Sequence, residues 1–217
     1  MGDKIKVAVV TGGHSFDVPK FHQLFRSLEG VDAYIQHMEN LVSARSRIKD
    51  WYDVILFYSM LGFRDKGKAR FPDKPVQTMD EVLEAGKGVV MLHHAILSYT
   101  NWDLWRDMVG LEAESFTGYS HDETMGIVVK DPAHPIADGI SGWEMIDETY
   151  VIDEPDANSH VLLTTDHQES MKSIGWTRQV KDSRVFNLQS GHDNQTWVDE
   201  NFQAVLTRGI WWAAGRI

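Results

Sequence analysis

The chain has 217 residues, a formal net charge of −11 and no cysteine. A chain of this length suits one domain able to bury a substantial core. The missing cysteines exclude a disulfide scaffold, a Cys-ligated zinc site and a thiol nucleophile. The densest basic group is Arg64, Lys66, Lys68 and Arg70, too small a cluster to track a phosphate backbone, so no nucleic-acid partner is expected. No apolar run approaches a membrane span, and the polar start, Met1 to Lys6, lacks a signal-peptide core. The expectation is a cytoplasmic protein with no membrane partner.

In chain order, Ile5 to Val10 reads as a strand closed by Thr11-Gly12-Gly13. Asp17 can then cap a helix whose first turn accepts Pro19 and whose Phe21, Leu24, Phe25 and Leu28 share a face. Gly30 ends it. Ala33 to Gln36 reads as a second strand, Ser43 to Lys49 as a short helix, and Val54 to Tyr58 as a third strand, apolar throughout as a strand covered on both faces should be. Gly62 to Pro75 is charged and aperiodic and reads as a loop. Thr78 to Ala85 reads as a helix, Gly88 to Leu92 as a fourth strand, and Asn101 to Val109 as a helix after a turn at His93-His94.

This βαβα order predicts an α/β domain of three layers, with a mainly parallel central sheet between helices. The second half is richer in short strands: Ile127 to Val129, Thr149 to Ile152, Val161 to Thr164, Ser173 to Trp176 and Arg184 to Leu188. Some of these are expected to extend the sheet and others to form a β-rich layer beside it. Val198 to Ala214 closes the chain as a helix with an apolar stripe that can serve either the sheet or an interface in a homo-oligomer.

Ligands of open parallel sheets bind beyond the carboxyl ends of the strands. There the chain carries His14 after the first strand, His93 and His94 after the fourth, and His192 after Arg184 to Leu188. Convergent imidazoles suit ligation of a zinc-like ion and proton transfer near neutral pH. A strand-end histidine can equally be structural, bonding a loop carbonyl. Of the adjacent pair His93-His94, alternation along an extended chain predicts one ring toward the site and one away from it. His121 follows the turn at Gly118, and Asp147-Glu148-Thr149-Tyr150 precedes a strand, so Asp147 or Glu148 can serve as a general base or a ligand.

These blocks resemble the ThuA-like (trehalose-utilisation) family. The resemblance is carried by Gly12-Gly13-His14, His93-His94-Ala95, Trp102 and Trp105 before Val109-Gly110, His121, His134-Pro135-Ile136 with Gly139-Ile140, Asp147-Glu148-Thr149-Tyr150, Arg184-Val185-Phe186, Gly191-His192-Asp193 and Gly209-Ile210-Trp211-Trp212-Ala213. It spans nearly the whole chain as a single domain. It departs at Ser173-Ile174-Gly175-Trp176, which keeps only the Trp of a Pro-x-x-Trp block, and at Ser183, where the family has Gly.

The resemblance implies the flavodoxin-like, class I glutamine-amidotransferase-like fold. Those amidotransferases carry a nucleophilic Cys on an elbow after a central strand; here His93-His94 stands in its place, so that chemistry is excluded. It also implies a carbohydrate ligand. The expected function is a metal-assisted enzyme acting on a disaccharide or keto-sugar derivative by isomerisation, elimination or hydrolysis; the alternative is a non-catalytic carbohydrate-binding or sensing domain. The expected metal ligands are His14, His94, His121 and His192, holding a divalent ion such as zinc or manganese. Asp147, Glu148 and His93 are the expected catalytic groups. His14, Tyr150 and one of Trp102, Trp143 or Trp176 are expected to contact the sugar. Neither flavin nor nucleotide is expected, because Thr11-Gly12-Gly13-His14-Ser15 is too short and His-bearing for a phosphate loop.

Overall fold

The computed structural model describes residues 3–62, 73–112 and 115–217. Nine strands form one sheet in the order β2-β1-β3-β4-β9-β8-β7-β5-β6. They are β1 (Ile5–Gly12), β2 (Val31–His37), β3 (Val54–Ser59), β4 (Gly88–Leu92), β5 (Gly118–Val129), β6 (Trp143–Val151), β7 (His160–Thr164), β8 (Ser173–Val180) and β9 (Ser183–Leu188). The expectation of a mainly parallel sheet is corrected: the sheet is mixed. The pairings β2-β1, β1-β3, β3-β4 and β4-β9 are parallel, whereas β9-β8, β8-β7, β7-β5 and β5-β6 are antiparallel. The reason is connection length. Helical crossovers fill the first half, whereas β7 and β8, and β8 and β9, are joined by short connections that fit only antiparallel neighbours.

The helices are α1 (Val18–Ser27), α2 (Met38–Ala44), α3 (Ile48–Trp51), α4 (Asp73–Glu84), α5 (Asp103–Val109), α6 (Asn194–Trp197) and α7 (Glu200–Ala213). The Asp17 carboxylate accepts from the Lys20 amide and caps α1, as its position predicts. Phe21, Leu24 and Phe25 of α1, with Phe202, Val205, Leu206 and Ile210 of α7, cover one face of the sheet with Val7, Val9, Leu56 and Val90. Leu41 of α2, Ile48 of α3, Met79 and Leu83 of α4, and Trp105 and Met108 of α5 cover the other face with Ala8, Ile55, Phe57 and Met91. The C-terminal helix thus spends its stripe on the sheet. Among the described residues no helix is long and apolar enough to cross a membrane.

Several expected boundaries move, those of α2 and α4 among them. α2 begins at Met38, directly after β2, where the His37 ring accepts from the Glu39 amide, and a 3-10 segment Arg45–Arg47 separates it from α3. α4 begins at Asp73, so Asp73 to Pro75 belong to a helix; apart from Gly62, the remainder of the expected loop, with Arg64, Lys66, Lys68 and Arg70, lies outside the described residues.

α7 reaches the sheet through Gly209. A Cβ there would lie 2.2 Å from Cδ1 of the buried Phe186 ring of β9. Glycine to alanine inside a helix ordinarily stabilises by about 0.5–1 kcal/mol. Gly209→Ala is expected to reverse that sign and cost about 1–3 kcal/mol, because overpacking forces the ring or the helix to shift. The urea midpoint at unchanged m-value is the measurement.

Candidate functional site

Parallel pairing of β1, β4 and β9 through the central strands brings the ends of these strands to one rim. His14 follows β1, His93 and His94 follow β4, and His192 follows β9. The antiparallel pair β5-β6 supplies the facing wall, with Tyr119 directly opposite Tyr150. The result is a pocket of about 290 Å³ bordered by His14, Met60, His94, Leu97, Phe116, Tyr119, His121, Glu148 and Tyr150.

The centre of the cluster is His93, fully buried on a turn with φ 54. A non-glycine residue pays about 1–2 kcal/mol for that left-handed conformation. The turn continues as a 3-10 segment, His93–Leu97, so the alternation of an extended chain does not apply and both rings face the cluster. The His93 and His94 ring centroids are 5.2 Å apart. His93 Nδ1 lies 2.7 Å from the Gln189 carbonyl oxygen, which can only accept, so this nitrogen carries the proton. His93 Nε2 then faces Glu148 Oε2 at 2.9 Å, the Tyr150 hydroxyl at 2.9 Å and His192 Nδ1 at 3.2 Å. His192 Nδ1 is 3.3 Å from the same Glu148 oxygen. His121 Nδ1 approaches the other oxygen, Oε1, at 3.2 Å.

Burial by itself would raise the Glu148 carboxyl, but its close contacts with His192 and His93 and their charge outweigh it and hold it well below the usual carboxylate range. Burial likewise works against the His192 imidazolium, yet the hydrogen bond and charge of Glu148 prevail and raise its pKa. Burial drives His94 well below the ordinary imidazole value, with His93 and His14 adding to the effect. His14 is lowered for the same reason, burial first and then His192 and His93. His94 is therefore a neutral ring, and neither of its nitrogens has a hydrogen-bond partner among the described residues. Buried polar atoms are rarely left unpaired without a ligand, ion or water to complete them.

Asp147 and Glu148 are adjacent on β6 but do different work. The Asp147 carboxylate accepts from the amides of Gly191 (2.7 Å), His192 (2.9 Å) and Glu148 (2.8 Å). It is almost wholly buried, and burial raises its pKa against the pull of His93 and those three amides. Its lone pairs are committed to the loop that carries His192. Asp147 thus holds the backbone, and Glu148 is the acid that borders the pocket.

Of the expected metal ligands, His14, His94, His121 and His192 do converge. His14 contacts His94 and His192 edge-on at 4.8 and 5.8 Å, and His121 lies 4.9 Å from His192. Among the described residues, however, the donor set that closes on itself is His93, Glu148 and His192, whose ligand atoms all lie within 4.8 Å of one another. Tyr150 borders the pocket as expected. The three tryptophans do not. Trp176 is fully buried with its indole N–H on the Val109 carbonyl at 2.8 Å. Trp102 packs on Tyr99 and Trp105 beside α5. Trp143 borders a separate cleft. The exposed ring at the pocket mouth is Tyr119, 58% exposed and 5.0 Å from His121. Sequence reading missed it because it placed only Ile127 to Val129 on the strand. Starting β5 at Gly118 puts Tyr119 and His121 two residues apart, on one side of an extended chain.

The family model described as ThuA, trehalose utilisation, matches residues 6–213. Among solved structures, a ThuA-like protein from Parabacteroides merdae superposes with a TM-score of 0.78 at 18% identity, covering 99% of this chain and 92% of that one. A ThuA-like protein from Bacteroides uniformis gives 0.76 at 15% identity, covering 97% and 91%. A glutamine amidotransferase from Thermotoga maritima gives 0.61 at 10% identity, covering 98% and 99%, which shows the shared fold. No curated protein matches the chain by sequence.

Proposed function

The chain belongs to the ThuA (trehalose utilisation) family, which supports a carbohydrate-related role, and from that premise we propose that the histidine-lined pocket binds a disaccharide or keto-sugar derivative beside a divalent metal ion and acts on it chemically. The observation that carries the reading is the meeting of three possible ligand atoms, His93 Nε2, His192 Nδ1 and Glu148 Oε2, separated by 2.9–3.3 Å. With the His93 proton on Nδ1, its Nε2 is free to accept or to ligate, and a divalent cation between the three atoms would take the place of the proton that His192 shares with Glu148. A zinc-like ion with bonds of about 2.0–2.2 Å keeps its ligands roughly 3.0–3.5 Å apart, so the donor set fits. The Nδ1–H of His93 on the Gln189 carbonyl is the outer contact that orients a ligating imidazole.

A bound ion would polarise a sugar carbonyl or hydroxyl. The chain's own residues supply the rest. Neutral His94, with both nitrogens unpaired, is placed to exchange a proton with a hydroxyl inside the pocket. His121, half exposed, does so at the mouth. Tyr119 offers its ring to the apolar face of the pyranose, and Phe116, Met60 and Leu97 shed water around it.

Metal analysis of protein prepared without chelators, together with turnover assays on trehalose and its 3-keto derivative, tests the reading. Bound zinc or manganese with turnover is the expected result. Saccharide binding with neither metal nor turnover would reduce the function to carbohydrate binding. Tyr119→Ala is expected to raise KM about tenfold with kcat nearly unchanged, whereas Tyr119→Phe stays close to the parent.

A further inference from the structure

β5 is not a regular strand where it faces the histidine rim. Ser120 pairs with Thr149 and Glu123 with Asp147, so two residues of β5, His121 and Asp122, stand opposite the single residue Glu148 of β6. The extra residue makes this a β-bulge, a device that bends a strand and re-aims its side chains. Asp122 carries it, with φ 57 in the left-handed region. Asp enters that region more readily than most residues, because its short polar side chain can hydrogen-bond nearby. Here the Asp122 carboxylate accepts at 2.5 Å from the side-chain amide of Gln195 on α6. We propose that Asp122 is a positioning residue of the pocket: its bulge turns Tyr119 and His121 to the pocket face of β5, and Gln195 fixes it there.

Side-chain alternation shows why the extra residue is needed. On an unbroken strand Tyr119, His121, Met125 and Ile127 would share one face, because even spacings keep a side. They do not share it. Met125 pairs with Met145 and is buried in the core, whereas Tyr119 pairs with Tyr150 and borders the pocket. Met145 and Tyr150 are an odd number of residues apart on β6, so they point to opposite sides. Were Asp122 in the ordinary extended conformation, with Met125 and Ile127 still in the core, the start of β5 would slip by one residue. Asp122 would then stand alone opposite Glu148, and His121 and Tyr119 would turn to the other face. The bulge avoids the slip and leaves His121 Nδ1 3.2 Å from Glu148 Oε1, with its ring 4.9 Å from that of His192.

The Gln195 contact also ties this wall to the loop of His192. α6 begins directly after that loop, and Asp193 caps it by accepting from the Gln195 backbone amide at 2.9 Å. His121 and His192 therefore reach Glu148 from two elements that the Asp122–Gln195 hydrogen bond holds together. The inference deepens the pocket reading and rests on it for the effect on turnover; its geometry rests on the strand pairing alone.

The test follows the His121 imidazole nitrogens of the full, metal-free chain by ¹H–¹⁵N correlation at one fixed pH, assigned by their loss in His121→Ala. Glu148→Gln marks where these resonances move when the contact is lost. Asp122→Val, whose β-branched side chain is kept out of the left-handed region, is expected to move them as well. It should make a further Glu148→Gln nearly silent, since the contact is already gone. Asp122→Asn keeps both the left-handed turn and an oxygen for Gln195, and should restore the parent positions. Gln195→Ala leaves the α6 backbone cap in place, should shift the resonances in the same direction, and decides the matter if Asp122→Val does not fold. In assays, kcat is expected to fall about tenfold to a hundredfold in Asp122→Val and to return in Asp122→Asn. Resonances unmoved by Asp122→Val, or by Gln195→Ala where the valine variant does not fold, overturn the proposal. So do additive effects of Asp122→Val and Glu148→Gln, or an Asp122→Asn variant that behaves like Asp122→Val. A purely structural role would lower stability and leave the His121 signals of the folded chain in place. If the pocket reading fails, no variant turns over, and the NMR arms still decide this one.

Discussion

Glu148→Gln is expected to weaken zinc or manganese binding by about a hundredfold or more and to remove turnover with it, measured by titration calorimetry and by assay on the same preparation. The substitution keeps shape and hydrogen-bonding reach, so the fold should persist. What it removes is the negative charge facing His93 and His192 at 2.9 and 3.3 Å. Without that charge the remaining donors are imidazoles, and His14 and His94 already lie below the ordinary value through burial and mutual repulsion. A cluster built only to share protons would behave otherwise: the variant would change stability while the parent itself bound no metal.

The second large effect is on the scaffold. Asp147→Ala is expected to lower stability by about 3–5 kcal/mol, read from urea denaturation, and to release the Gly191–His192 loop. The arithmetic follows from three backbone amides that share one buried carboxylate. Leaving a buried donor unpaired costs about 1–3 kcal/mol, and the three losses are not independent. Asp147→Asn should retain part of the stability, since an amide oxygen can accept from two of the donors while its NH₂ opposes the third. A stable Asp147→Ala with His192 in place would refute the positioning role.

The parallel half of the sheet was readable because its strands are buried on both faces. Val54 to Tyr58 and Gly88 to Leu92 are continuous apolar runs with no competing pattern. The antiparallel half was not. β5 carries His121, Asp122 and Glu123 through an irregularity in its pairing with β6, and Asp122 has φ 57, so the hydrophobic alternation that marks a strand is broken where the strand is longest. The strand-end rule located His14, His93, His94 and His192, because those positions follow from topology alone. It could not divide labour between Asp147 and Glu148. Neighbours on a strand face opposite ways, and only coordinates say which side carries the Gly191–His192 loop. Nor could composition say which aromatic is exposed: Trp176 and Tyr119 differ in burial, not in sequence signal.

The central claim is that imidazoles and a carboxylate brought from the ends of separate strands together hold a divalent cation. The direct test is anomalous diffraction from crystals of the full chain soaked in zinc or manganese at neutral pH. The account predicts one strong peak within bonding distance of His93 Nε2, His192 Nδ1 and Glu148 Oε2. A pocket free of anomalous density after such a soak, or a peak bound only by residues elsewhere on the molecule, would contradict it.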